Sequence, residues 1–356
     1  MLRSLQQLWE MLRTLRVVAP PSVRLPRSCA WMVLPALALG LTLGACEHAQ
    51  PSGTPTEPNG PLSLAFPRQL TFNAGADVGP AWLPDGSGII YSYEVPQPDP
   101  AHPDSDQCLG ILPAEGGHRT WSACPPYSPL AADSTRVFVE PAVGPGGVLA
   151  YLSEHKRLSE RGFTFKELVV ATLGDPAPGR VVLSLAYWAP DSLLHVAVRY
   201  LQWLDARTLV WVAVVDTNAG PPPVPSEIVQ LDLATDPARM TVLPGTGGAS
   251  SLAADSGGAL YYTVAGDSHV YRYVADQPPD TVFDFGTAGA PGGVQVRGDV
   301  LVAGVNGALY RVDLGSASVT PVATPYALPV SDPALSPSGR RVVVQASNDL
   351  WLLQVP

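Results

Sequence analysis

Residues 79–94, GPAWLPDGSGIIYSYE, decide the fold. An apolar run meets a tight turn built from Pro84, Asp85 and Gly86, and a second apolar run of alternating character follows, which is the pattern of a β-hairpin. The pattern returns along the chain. Aligned on the turn, the copies are PAWLPDGSGIIYS at Pro80, PAVGPGGVLAYL at Pro141, LQWLDARTLVWV at Leu201, SSLAADSGGALYYT at Ser250, GGVQVRGDVLVAG at Gly292 and PALSPSGRRVVVQA at Pro333. A second strand pair follows each of the first five, for example QCLGILPAEGGHRTWSAC and HVYRYVADQPPDTVFDFG. Four strands in a unit of about 41 residues at minimum is the signature of a propeller blade. The predicted fold is therefore all-β, a six-bladed β-propeller of four-stranded antiparallel blades in residues 64–356. The sixth unit offers NDLWLLQVP as its third strand and then stops. AFPRQLTF, residues 65–72, supplies the missing strand, so that an N-terminal strand closes the ring. YWAPDSLL, residues 187–194, is the candidate for a seventh copy.

PAWLPDGSGIIYS and DPALSPSGRRVVVQ resemble the WD-like repeat of TolB-type six-bladed propellers, whose consensus runs Pro-Ala-Trp-Ser-Pro-Asp-Gly before an apolar strand. Units one and six match it closely and units two to five in pattern. The resemblance implies a six-bladed ring in a periplasmic or envelope setting. It transfers no partner, because no interaction motif matches residue by residue.

The composition suits short strands and tight turns, with 39 Pro, 33 Gly and only 15% charged residues. Residues 1–45 stand apart. Five arginines, from Arg3 to Arg27, precede the uncharged run AWMVLPALALGLTL, whose 14 residues reach roughly 21 Å as a helix against a hydrocarbon core of roughly 30 Å. A basic segment, a short apolar run and LGAC form an export signal. LGAC, residues 43–46, resembles the lipobox of bacterial lipoproteins, which makes Cys46 the lipidated residue. Residues 46–63 then read as the lipidated Cys and a disordered tether. Removing residues 1–45 takes away five arginines and one glutamate and leaves 16 basic against 30 acidic side chains, net −14. That balance excludes a nucleic-acid partner. Cys108 and Cys124 remain, placed symmetrically about Gly116 in the turn AEGGH. They face each other across a predicted hairpin in an oxidising compartment, and a disulfide is expected.

Spacings between copies are 61, 60, 49, 42 and 41 residues, so the first three units carry insertions between their second and third strands. All three emerge on one face of the disc. Loops of that length on a rigid scaffold carry function more often than short ones. The second insertion is the most polar, with Glu154, His155, Lys156, Arg157, Glu160 and Arg161. It reads either as a solvated extension of two strands or as a docking hairpin for an acidic partner. Catalytic signatures are missing: there is no Gly-x-Ser-x-Gly elbow, zinc helix or phosphate loop. Ser256 in ADSGGA falls in the hairpin turn, and the histidines are scattered singly. Tyr261 in YYTV is the place to look for an aromatic sugar platform.

The sequence reads as a lipid-anchored monomer of the bacterial envelope, on the periplasmic or outer-membrane side, with no cofactor, no metal and no catalytic residue. It acts as a protein-binding or assembly module, meeting an envelope protein or surface polymer through the long-loop face of blades one to three. The alternative is a glycan-active lyase or hydrolase, or a carbohydrate binder, with its site over the central channel.

Overall fold

The computed structural model describes residues 66–72, 75–95, 106–125, 134–157, 164–174, 179–186, 194–217, 226–235, 237–325 and 328–356. The predicted signal, Cys46 and the tether lie outside them. The first described strands are β1 (Arg68–Gln69), β2 (Asp77–Trp82), β3 (Gly88–Val95), β4 (Asp106–Pro113) and β5 (Trp121–Ala123). Next come β6 (Ser134–Val143), β7 (Val148–Arg157), β8 (Thr164–Thr172) and β9 (Arg180–Ala186). The middle of the chain forms β10 (Leu194–Trp203), β11 (Thr208–Thr217), β12 (Ser226–Asp232) and β13 (Arg239–Val242). It continues with β14 (Ala249–Ala254), β15 (Leu260–Val264), β16 (His269–Tyr273) and β17 (Asp280–Asp284). The last strands are β18 (Pro291–Arg297), β19 (Val300–Val305), β20 (Ala308–Asp313), β21 (Ser318–Val322), β22 (Val330–Leu335), β23 (Arg341–Ala346) and β24 (Asp349–Gln354).

Turn chemistry sets the hairpins. Between β2 and β3 the Asp85 carboxylate accepts from the Ser87 amide at 2.9 Å and its hydroxyl at 2.7 Å, and Gly86 takes φ 72°. Asp205 holds the Arg207 amide at 2.7 Å, and Asp255 holds the Gly257 amide at 2.8 Å, in the corresponding turns. Each is an Asp closing a turn on its own backbone. Ser256 belongs to this turn.

The strands assemble into an all-β propeller of four-stranded antiparallel blades. Four sheets stand separately: β10–β13, β14–β17, β18–β21, and β22–β24 completed by β1. In the last, Arg68 and Gln69 pair with Leu352 and Trp351. The expectation of six separate sheets is not met, because β2–β5 and β6–β9 form one eight-stranded sheet. The junction is a single parallel bridge between Gln107 and Val137, backed by the Arg136 amide donating to the Asp106 carboxylate at 3.0 Å. The cause is the shortness of β5. Its three residues cover only Leu109 to Ile111 of β4, and the uncovered edge beyond takes up β6. Residues 187–193 of the candidate seventh copy lie outside the described residues, and its last residue, Leu194, begins β10.

The second strand of each hairpin is buried on both faces. Gly88 to Tyr93 are buried without a break, and so are Val342, Val343 and Val344, where simple alternation was expected at Gly88–Glu94. The reason is that each blade lies between two neighbours, which leaves neither face for water. Buried clusters accordingly bridge adjacent blades. One joins Trp82, Ile89 and Tyr91 near the start of the described chain to Ala334, Val343 and Leu352 near its end. Each fully buried aliphatic side chain there contributes roughly 1.5–3 kcal/mol.

Candidate functional site

Every innermost strand carries an irregularity at an equivalent point. Register shifts fall between Val78 and Ala81, Val139 and Ala142, Arg199 and Gln202, Ala249 and Ser251, Pro291 and Gly293, and Ser331 and Ala334. In four of these bulges one residue is left-handed: Gly79 at φ 60°, Glu140 at 53°, Tyr200 at 57° and Asp332 at 46°. A bulge re-aims the side chain it carries. Here it turns Glu140, Tyr200 and Asp332 to the wall of a central cavity of about 520 Å³, lined by residues of β2, β6, β10, β14, β18 and β22. At the fourth bulge Gly79 leaves the wall bare.

Glu140 Oε2 accepts the Tyr200 amide at 2.9 Å. Burial pushes the Glu140 carboxyl up to about 7, with the negative charge of Asp332 adding to it. The amides of Tyr200 and Leu201 and the charge of Arg199 oppose the rise. Asp332 is also raised, mainly by burial, against a hydrogen bond from Ser331 and the charge of Arg199. Burial, then Asp332 and Glu140, push the Tyr200 phenol up, and its hydroxyl donates to the Gly292 carbonyl at 3.1 Å.

The remaining wall is fixed by its own bonds. Lys166 Nζ meets Glu154 Oε1 at 2.6 Å. Arg297 Nη1 donates to the Val296 and Ala254 carbonyls at 2.8 and 3.3 Å. The Trp82 and Trp203 indoles donate to the Ala334 and Ala142 carbonyls at 2.8 and 3.1 Å. Gly144 admits the Trp203 ring, since a Cβ at Gly144 would lie 2.7 Å from it. A carboxyl that changes charge near neutrality can give or take a proton at working pH. With a second carboxyl and a phenol beside it, the wall can also hold the hydroxyls of a polar ligand.

Of the residues singled out from sequence, Glu154 reaches this cavity, where it pairs with Lys166. His155 is half-buried in β7, paired in register with Arg136 and Phe165. Lys156 and Arg157 end the same strand, so the polar segment extends two strands as far as Arg157 and from Thr164. Glu160 and Arg161 lie outside the described residues. Cys108 and Cys124 form the disulfide. Tyr261 is no platform: it is buried in a cluster between blades, and Tyr262 beside it is buried likewise. No group of three or more His, Cys, Asp or Glu is arranged to hold a metal among the described residues.

Glu140, Arg199, Tyr200 and Asp332 escaped the sequence reading. Glu140, Tyr200 and Asp332 each stand one position before Pro141, Leu201 and Pro333, just ahead of the hairpin pattern that marks each copy. The available signal was a charged residue on an otherwise apolar innermost strand.

No family model matches the sequence, and no curated protein does. Among solved structures, a gluconolactonase from Xanthomonas campestris is similar at a TM-score of 0.50 and 13% identity, over 81% of this chain and 89% of that one. An oligogalacturonate lyase from Vibrio parahaemolyticus gives 0.47 and 9% over 81% and 93%. The β-propeller domain of the Trilobed protease from Pyrococcus furiosus gives 0.46 and 13% over 80% and 94%. At these identities the likeness is one of fold.

Proposed function

We propose that the channel binds a small polyhydroxylated molecule and acts on it by proton transfer through Glu140. The observation that carries this is a carboxyl aimed into the cavity by a left-handed bulge, raised to about 7, with a second raised carboxyl near enough to contribute to that shift. Strain and an expensive buried charge at the same residue are features that function explains and stability does not. In this reading Glu140 gives or takes the proton, while Asp332 and Tyr200 hold hydroxyls. The gluconolactonase of the same fold makes sugar lactones the first probes to try. Turnover of a lactone panel, followed by acid release, is expected from the native protein and lost in Glu140→Gln. Equal turnover by both proteins would sink the reading.

The same proposal counts the eight-stranded sheet as two blades, which makes a six-bladed ring of TolB type. The six innermost strands around one cavity support that count. It also keeps the chain as an exported lipoprotein held at the envelope by Cys46. The polar hairpin at residues 153–165 then meets an envelope protein or surface polymer. Incorporation of labelled palmitate, abolished by Cys46→Ala, is the expected result; labelling that persists in the variant removes the anchor.

A further inference from the structure

The cations on the cavity wall differ in what they are bonded to. Lys166 is spent on Glu154, and Arg297 on two backbone carbonyls. Arg199, exposed on β10 immediately before the left-handed Tyr200, makes no hydrogen bond or ion pair with any described residue. Its charge nevertheless reaches both Glu140 and Asp332. Arg199 is the last residue in register before the bulge, paired with Val212 of β11, and pairing resumes at Gln202 with Val210. The next strand residues are immobilised, because the Gln202 amide clamps β14 through the Leu252 carbonyl at 2.8 Å and the Ala254 amide at 2.7 Å. A guanidinium with a full set of donors, held beside a cavity of small-molecule size, suits a planar oxyanion taken in two parallel bonds.

We infer that Arg199 anchors a carboxylate carried by the channel's ligand, so that the ligand is a sugar acid rather than a neutral sugar. The inference rests on the channel reading above and adds the charge of the ligand to it. A single negative charge is the fit. The second charge of a phosphate would face Glu140 and Asp332, whereas a carboxylate needs only the one cation. The charged groups facing Glu140 are Asp332 from β22 and Arg199 from β10, with the Glu154–Lys166 pair and Arg297 further round the wall; β2 contributes only the uncharged Val78 to Trp82. An anion seated on Arg199 therefore favours the protonated form of Glu140, and binding takes up protons near neutrality.

The test pairs each of three uronates, glucuronate, galacturonate and mannuronate, with its uncharged amide, binding to the full-length protein by calorimetry at pH 6 and pH 8. At least one uronate is expected to bind ten-fold or more tighter than its amide at pH 6 and less so at pH 8. Arg199→Gln should bring that ratio close to one, and Arg199→Lys, which keeps the charge but not the two-pronged donor, should keep only part of it, which separates lost recognition from lost folding. Equal binding of uronate and amide, or a ten-fold ratio that survives Arg199→Gln, overturns the anchor while the channel remains a binding site. No binding by any of the six, alongside lactone turnover lost in Glu140→Gln, overturns the anchor alone. No binding and no turnover overturn both.

Discussion

Asp332 and Gly79 occupy the same left-handed bulge on adjacent innermost strands, and only the glycine adopts it without strain. A side chain in this region costs roughly 1–2 kcal/mol, somewhat less for Asp than for other residues. Asp332→Gly removes that strain and one of two neighbouring carboxyls, at the loss of a hydrogen bond from Ser331. It should stabilise the fold by about 1 kcal/mol and raise the melting temperature by about 2 °C, while ligand binding in the channel is lost. Gly79→Ala has room for its Cβ, 3.8 Å from Pro141, and should still destabilise by about 1 kcal/mol through φ alone. Thermal melts of the two variants check the pair; a drop for Asp332→Gly would mean that the bulge is not strained. Glu140 carries the pH dependence. Its proton is held more tightly in the folded chain than in the unfolded one, where the ordinary value is 4.5. Its contribution to stability is thus complete below pH 4.5 and is lost as pH rises through 7, by at most about 3 kcal/mol. Asp332 works in the same direction and Arg199 against both. Urea midpoints should therefore fall between pH 5 and pH 8 in the native protein and fall less in Glu140→Gln.

At the scale of the strand, the sequence made the hairpins legible because their turns are local. Asp85, Asp205 and Asp255 close on their own backbone within two residues, so the signal needs no tertiary context. Bulges depend on register against a partner strand, and the residues before Pro141, Leu201 and Pro333 carry no mark of being left-handed. The fused sheet was equally illegible. It depends on how little of β4 a three-residue β5 covers, a length that Thr120 to Cys124 do not announce. The disulfide was legible, since Cys108 and Cys124 continue the β4–β5 register past Leu109 and Ala123. It staples the free end of the shortest strand in the first blade. Closing a loop at a sequence separation of 16 is worth about 3 kcal/mol. Cys124→Ala should lower unfolding stability by that amount, and dithiothreitol should reproduce the loss in the native protein while leaving the variant unmoved. An effect of reductant on the variant would assign the loss elsewhere.

Closure is the property of the whole molecule, and it rests on a very short strand. β1 has two residues, and beyond its pairing with β24 the Leu70 amide donates to the Leu350 carbonyl at 2.8 Å, the Leu350 amide to the Thr71 hydroxyl at 2.9 Å and the Gln69 side chain to the Asp349 carboxylate at 3.0 Å. The missing strand of the last unit made closure legible in the sequence, but what holds it was not. Glu115, in the turn between β4 and β5, accepts from Arg68 of β1 at 3.0 Å and from Arg341 of β23, a residue 226 positions away. One carboxylate thus ties the first blade to the N-terminal strand of the closing sheet and to one of its C-terminal strands. Burial pushes the Glu115 carboxyl up, but the hydrogen bonds and charges of Arg341 and Arg68 outweigh it and hold the group below its ordinary value. Its stabilisation is present above pH 4.5 and disappears as pH falls through the lowered value. Because the carboxylate is 58% exposed and screened by water, the contribution is about 1 kcal/mol. The Arg68 side chain, only 3% exposed, is what makes the loss local to the closure. Glu115→Gln should therefore unfold about 1 kcal/mol earlier in urea at pH 7, approach the native protein as pH falls to 3, and speed hydrogen exchange at the Leu70 amide more than at Val343. A difference that persists undiminished at pH 3 would mean that the clasp acts through packing and not through charge.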